Sequence, residues 1–133
     1  MVRVMVAAAL ILSLAGTATA KPALRDVPVI DNGLFAVGLA DEIRRKCPDI
    51  SARFFRAFGF LRELEQKAEA HGYTEAEVEA HLNSDVEKDR LRARAAKYME
   101  EQGFTQDTAG YCALGRSEIA RNSQTGALLR VSN

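Results

Sequence analysis

Two cysteines behind an export-type leader constrain this chain more than any other feature. Residues 1–20 open with Arg3 in a short positive region, run through an apolar stretch from Val4 to Leu14, and close on the small residues Ala18, Thr19 and Ala20. That is the pattern a signal peptidase accepts, so cleavage before Lys21 is expected. The apolar stretch is shorter than the roughly 20 residues that span a bilayer, and no later stretch approaches that length, so no membrane anchor is expected after cleavage. Position 21 is lysine and not the cysteine that would carry acyl chains, so no lipid anchor is expected there. Export exposes Cys47 and Cys112 to an oxidising compartment, where a lone pair of thiols reads as one disulfide. The two stand 65 positions apart, and closing a loop of that size restricts the unfolded chain by about 4 kcal/mol in the chain-entropy model. The alternative, a redox-active or metal-binding pair, lacks a C-x-x-C spacing and any sign of an activated thiol.

Of 133 residues, removal of the leader leaves a length suited to one compact domain. The charges balance at 18 basic and 18 acidic, and loss of Arg3 tips the remainder one unit negative. Such a chain has no global field to draw in nucleic acid or an anionic membrane. Ala, Leu, Glu, Arg and Lys dominate and Trp is absent, which points to an all-α, single-domain bundle of about five helices with one disulfide. Residues 21–30 hold two prolines and little periodicity, and are expected to form an extended N-terminal segment ahead of a helical domain over 31–133.

Asp31 or Asn32 can cap a first helix that ends near Lys46, because Pro48 pushes the residue before it out of helical geometry. Ile50, Phe54, Ala57, Phe58, Leu61, Leu64 and Ala68 recur at three- and four-residue steps and predict a second helix with these side chains buried, closed by Gly72 as a left-handed cap. Phe55 and Phe60 flank that stripe. Thr74 and Glu77 form a capping box, with Tyr73 stapled onto Val78, for a short third helix to about Leu82. Ser84 and Glu87 repeat the box for a fourth helix to Gln102, ended by Gly103, with Leu91, Ala95, Tyr98 and Met99 on one side. Gly103-Phe104-Thr105 echoes Gly72-Tyr73-Thr74 and predicts a fifth helix over about Gln106–Asn122. Gln124-Thr125-Gly126 then reads as a turn before Ala127-Leu128-Leu129 folds back onto the core.

No pattern for a cofactor or a catalytic centre emerges, and none is expected for a metal. Residues Gly110 to Ser117 have the glycine spacing of a phosphate-binding loop, but they follow helix-start chemistry and contain Cys112. His71 suits the last turn of the second helix, where the dipole favours a cation, and His81 is expected to face solvent or to cap a local contact. Arg90, Arg94 and Lys97 form a stripe bordered by Glu87 and Glu101 that reads as an ion-paired surface, and Arg44-Arg45-Lys46 complements a helix C-terminus. The surplus of aromatic surface on the second helix is the remaining unusual feature. Phe55 and Phe60 are its candidates for partner binding.

With the leader, Cys47, Cys112, the Phe-rich helix and Gly103-Phe104-Thr105 in view, the chain resembles small exported bacterial two-cysteine helical proteins of a domain-of-unknown-function family. The shared motifs are structural, and the resemblance implies no activity. The reading that follows is a non-catalytic periplasmic or secreted accessory domain that binds an unidentified protein. The alternatives are a small envelope-modifying hydrolase using carboxylates such as Glu63, Glu65 or Asp89, and a structural subunit of an envelope complex.

Overall fold

The computed structural model describes residues 16 and 20–132, so the leader expected over 1–20 lies outside the described residues apart from Gly16 and Ala20. The expected all-α bundle is observed, with six α-helices among the described residues, one small two-stranded sheet and a Cys47–Cys112 disulfide.

Ordered structure begins earlier than the periodicity suggests. Leu24–Asp26 forms a 3-10 turn, and helix α1 spans Pro28–Lys46, so the segment expected to be extended is instead folded onto the domain. Three apolar side chains at three-residue spacing, Leu24, Val27 and Ile30, are buried against Ala68 and Tyr73. Pro28 occupies the first helical turn, where its fixed φ suits the helix and its missing N–H removes no bond. Lys21 Nζ reaches the carbonyl of Gly72 at 2.9 Å and Glu77 Oε2 at 2.8 Å, and the Tyr73 hydroxyl donates to the carbonyl of Pro22. Asp31, expected as a cap, therefore lies inside α1 and is buried.

Strand β1 (Ile50–Ala52) pairs antiparallel with β2 (Leu129–Val131), placing Ile50 opposite Val131 and Ala52 opposite Leu129. This pairing takes Ile50 out of the second helix, and α2 runs from Phe54 to Ala70. The Arg53 N–H donates to the carbonyl of Leu128 at 2.8 Å and ties the start of α2 to the far end of the chain. Gly72, at φ 87°, closes α2 in left-handed geometry.

Local capping signals govern the next two helices. Thr74 and Glu77 exchange both bonds of a capping box, at 3.2 and 2.7 Å, to start α3 (Glu75–Asn83). Ser84 Oγ accepts the Glu87 N–H at 3.3 Å to start α4 (Asp85–Glu101), but the Glu87 carboxylate turns to Arg25 and Arg90, so this box is half made. Beyond Gly103, at φ 77°, the echoed motif departs from its first copy. Asp107 caps α5 (Thr108–Ala120) by accepting from the Gly110 N–H at 2.8 Å and from the Thr105 hydroxyl at 2.7 Å. The Gly110 bond holds the Asp107 carboxyl below its ordinary range. A carboxylate two residues on displaces Thr105 as the cap. Residues 110–117 lie within α5 and form no phosphate loop, and the expected turn at Gln124 is a one-turn helix, α6 (Gln124–Ala127), capped by Ser123.

Helix α1 is the hub, packing against α2, α4, α5, α6 and β1. Leu39, Ile43, Met99, Leu114 and Leu129 are wholly removed from solvent at its centre, each such side chain contributing about 1.5–3 kcal/mol. The disulfide crosses this core from the C-cap of α1 to α5, with the two Cα atoms 5.1 Å apart. Glycine permits the close approach of α6 to α5: a Cβ on Gly126 would overlap the Glu118 carbonyl.

Two stability predictions follow from this packing. Replacing both cysteines by serine lowers the free energy of unfolding by about 2–4 kcal/mol in denaturant titration; an unchanged midpoint contradicts the staple. Gly126→Ala destabilises by about 1–3 kcal/mol through overpacking, whereas Gly38→Ala, in the open middle of α1 with nothing within 4 Å of a new Cβ, does not.

Candidate functional site

The first two turns of α2 present aromatic rings to solvent. Phe54 is 58% exposed, Phe58 64% and Phe55 96%, so half of the chain's six phenylalanines stand largely outside the core. This corrects the expectation that Phe54 and Phe58 are buried. Of the predicted stripe on α2, Leu64 and Ala68 are buried and Ala57 and Leu61 half-buried, because Leu64 seats over Gly33 of α1 and fixes the inward face. Leu128 and Leu129, delivered by the β1–β2 pairing, occupy core space that the periodicity assigns to the rings of α2. Phe55 is the exposed residue the sequence singles out. Phe60, the other, sits about 140° round the helix from it and packs half-buried against the main core. The structure thus joins Phe55 to Phe54 and Phe58 and not to Phe60.

Around these rings stand cations that no carboxylate of the described residues meets. Every other described lysine and arginine lies within salt-bridge distance of a carboxylate, leaving Lys46, Arg53, Arg56, Arg62 and Arg130 without one among the described residues. Three of the five belong to α2 or its N-cap, and Arg130 stands on β2 opposite Ser51. Arg62 follows Phe58 by four residues and Phe55 by seven, on the same helix face. Arg53 Nε and Arg56 Nη1 donate to the carbonyls of Leu129 and Ala127 at 3.0 and 3.3 Å, which orients both side chains without neutralising them. The Arg44 guanidinium lies 5.9 Å from the Phe54 ring centroid. A groove of about 160 Å³ opens beside the rings between α1 and α2, walled by Val37, Ala40, Phe54, Ala57, Phe58 and Leu61.

Other polar groups hold the fold. Asp31 is buried and met by Arg90 and by Arg94 Nη1 at 2.9 Å, so two members of the predicted surface stripe are internal ties; Lys97 pairs outward with Glu101 at 3.7 Å. Glu118 is 2% exposed and is bonded by Tyr98, Arg121 and Ser123. Burial and the Glu118 bond together push the Tyr98 hydroxyl above its ordinary range. His71 Nδ1 sits 2.7 Å from the carbonyl of Lys67 at the end of α2, as its position predicts. His81 does not face solvent: its Nε2 is buried without a hydrogen-bond partner, 4.0 Å from Glu87 Oε2.

The carboxylates considered for hydrolysis are not gathered. Glu63 pairs with Lys67 at 2.7 Å and Asp89 with Arg92 at 2.7 Å, both on exposed helix faces, and Glu65 lines an open acidic groove with Glu69, Glu75 and Glu79. Among the described residues, the donor atoms of Cys47, Asp49 and Cys112 converge, but both sulfurs there are consumed by the disulfide. No helix among the described residues is long and apolar enough to cross a membrane. Asp31 and Glu118 escape sequence reading, although each interrupts an apolar helix stripe, which is the signal that marks a buried carboxylate.

Fold and surface together define a disulfide-stapled helical domain with an aromatic, cationic face. Residues 22–130 match the model of DUF5333, a family of unknown function, and the chain belongs to that family. No curated protein and no solved structure matches it.

Burial, then the neighbouring Arg90, depress the His81 pKa below its ordinary value of 6.5, with Arg25 adding to and Asp31 opposing the shift. The unfolded chain therefore takes up this proton more readily than the folded one, and stability falls as pH drops through 6.5. Thermal melts across this range show that loss in the wild type, and His81→Gln flattens it; an unaltered slope in the variant contradicts the assignment.

Proposed function

We propose that this protein is an exported, non-catalytic accessory domain that binds another protein through Phe54, Phe55 and Phe58. The observation that carries the reading is the solvent exposure of these three rings on one helix end. Burying a phenylalanine side chain is worth about 1.5–3 kcal/mol, and the fold forgoes most of that at three neighbouring positions. Contiguous exposed apolar surface of this kind marks interaction sites, and aromatics with arginine at the margin are the residue types that dominate binding energy in protein interfaces. The leader-like residues 1–20 and the disulfide support a periplasmic or secreted location, since such bonds persist in oxidising compartments. The buried carboxylates Asp31, Glu87 and Glu118 are each bound by arginine, which supports assigning them to stability.

Replacing Phe54, Phe55 and Phe58 together by alanine tests the proposal. The triple variant is expected to keep its unfolding midpoint within about 1 kcal/mol, whereas Phe60→Ala alone costs about 2 kcal/mol because that ring packs on the core. A photo-cross-linker at position 55 captures a protein from periplasmic extract, and the flanking Phe54→Ala, Phe58→Ala changes abolish that capture. Capture that is indifferent to the rings, or unfolding of the triple variant, contradicts the assignment.

A further inference from the structure

We infer that the partner presents an acidic, amphipathic segment, with a bulky apolar side chain seated in the α1–α2 groove and carboxylates facing Arg53, Arg56 and Arg62. The inference rests on the binding role proposed above and names the chemistry that role requires.

Charge complementarity commits the surface to an acidic occupant. Helix α2 begins without a capping side chain and has no acid in its first turn. The positive end of a helix dipole favours nearby anions and disfavours cations, yet the residues placed there are Arg53 and Arg56, with Arg62 two turns along. The helices that follow α2 start on side-chain oxygen caps, at Thr74, Ser84, Asp107 and Ser123. Among the described residues, α2 is the one longer helix after α1 at whose start positive potential accumulates without an internal answer. The Arg53 and Arg56 guanidinium groups are held in place by backbone carbonyls that leave other N–H groups free, which preorganises them for carboxylates.

The groove commits the surface to a protein segment. Its walls are almost wholly apolar and its volume of about 160 Å³ suits one large aliphatic or aromatic side chain, with Phe54 and Phe58 forming one lip and Val37 and Ala40 the other. A bilayer surface has no protruding side chain to fill a slot; a peptide has. The one acid on the rim, Asp41, is already bonded to Arg44 and Arg45, so it does not repel an acidic visitor.

The intact oxidised protein, displayed against a random peptide library, tests this chemistry directly. Wild type is expected to enrich peptides in which Asp or Glu flank Leu, Phe or Trp, and the affinity of those peptides to fall about tenfold in the Arg56→Gln, Arg62→Gln variant and again on raising salt. A similar fall is expected in Phe54→Ala, Phe58→Ala, with melting curves confirming that both variants remain folded. Enrichment of neutral or basic peptides, or affinities unmoved by the arginine changes, overturns the acidic assignment while leaving the aromatic interaction surface standing. Binding confined to phosphatidylglycerol vesicles, with no peptide enriched, overturns it in favour of a lipid surface. Peptides bound equally well after loss of Phe54 and Phe58 defeat the inference and the proposed function together.

Discussion

The Cys47–Cys112 bond is the constraint on which the remaining structure depends. It fixes the end of α1, where Pro48 turns the chain out of the helix, to α5, and the strand that begins at Ile50 inherits its position from that junction. Strand β2 then pairs with β1, and this antiparallel contact brings Leu128 and Leu129 into the core and holds the N-terminus of α2 at the sheet. Chain segments far apart in sequence are thereby made neighbours before α2 begins. The outward turn of Phe54, Phe55 and Phe58 is a consequence of where the staple and the two strands leave that helix, with Leu64 over Gly33 setting its rotation.

Polar contacts finish what the apolar core starts. Leu24, Val27 and Ile30 lay the N-terminal segment against α2, and Arg25 and Asp31 join the same segment to α4 through Glu87, Arg90 and Arg94. At the opposite end Glu118 gathers Tyr98, Arg121 and Ser123 around the α5–α6 corner. Taking carboxylates out of water is unfavourable unless they are paired and hydrogen-bonded, and each of these is. Among the described residues, Arg90 and Arg94 of α4 are tied to buried Asp31 whereas Arg56 and Arg62 of α2 meet no carboxylate, and that contrast separates residues that hold the fold from residues available to a partner.

What the sequence reveals divides by range. The caps at Thr74 and Ser84, the left-handed Gly72 and Gly103, and the pairing of the two cysteines were legible because each depends on a few adjacent residues or on having a single possible partner. The β1–β2 pairing was not, since Ile50 and Val131 lie far apart in the chain and three-residue strands leave no alternation to detect. The aromatic face was half legible: Phe55 stands out by helical geometry, but Phe54 and Phe58 fall on the inward stripe and are displaced from the core by Leu128 and Leu129, while Phe60 swings inward. The burial of His81 and Asp31 is hidden for a related reason. A polar residue on a helix gives no sign of burial until the N-terminal segment that covers it is positioned, and prolines 22 and 28 disguise that segment as a loop.

The central claim is that the stapled sheet turns three rings of α2 away from the core and keeps the fourth packed against it. Solvent paramagnetic relaxation at the phenylalanine ring protons of the oxidised protein measures this directly. The account predicts strong enhancement at Phe55, substantial enhancement at Phe54 and Phe58, and weak enhancement at Phe60; protection of Phe54 and Phe58 to the level of Phe60 would contradict it.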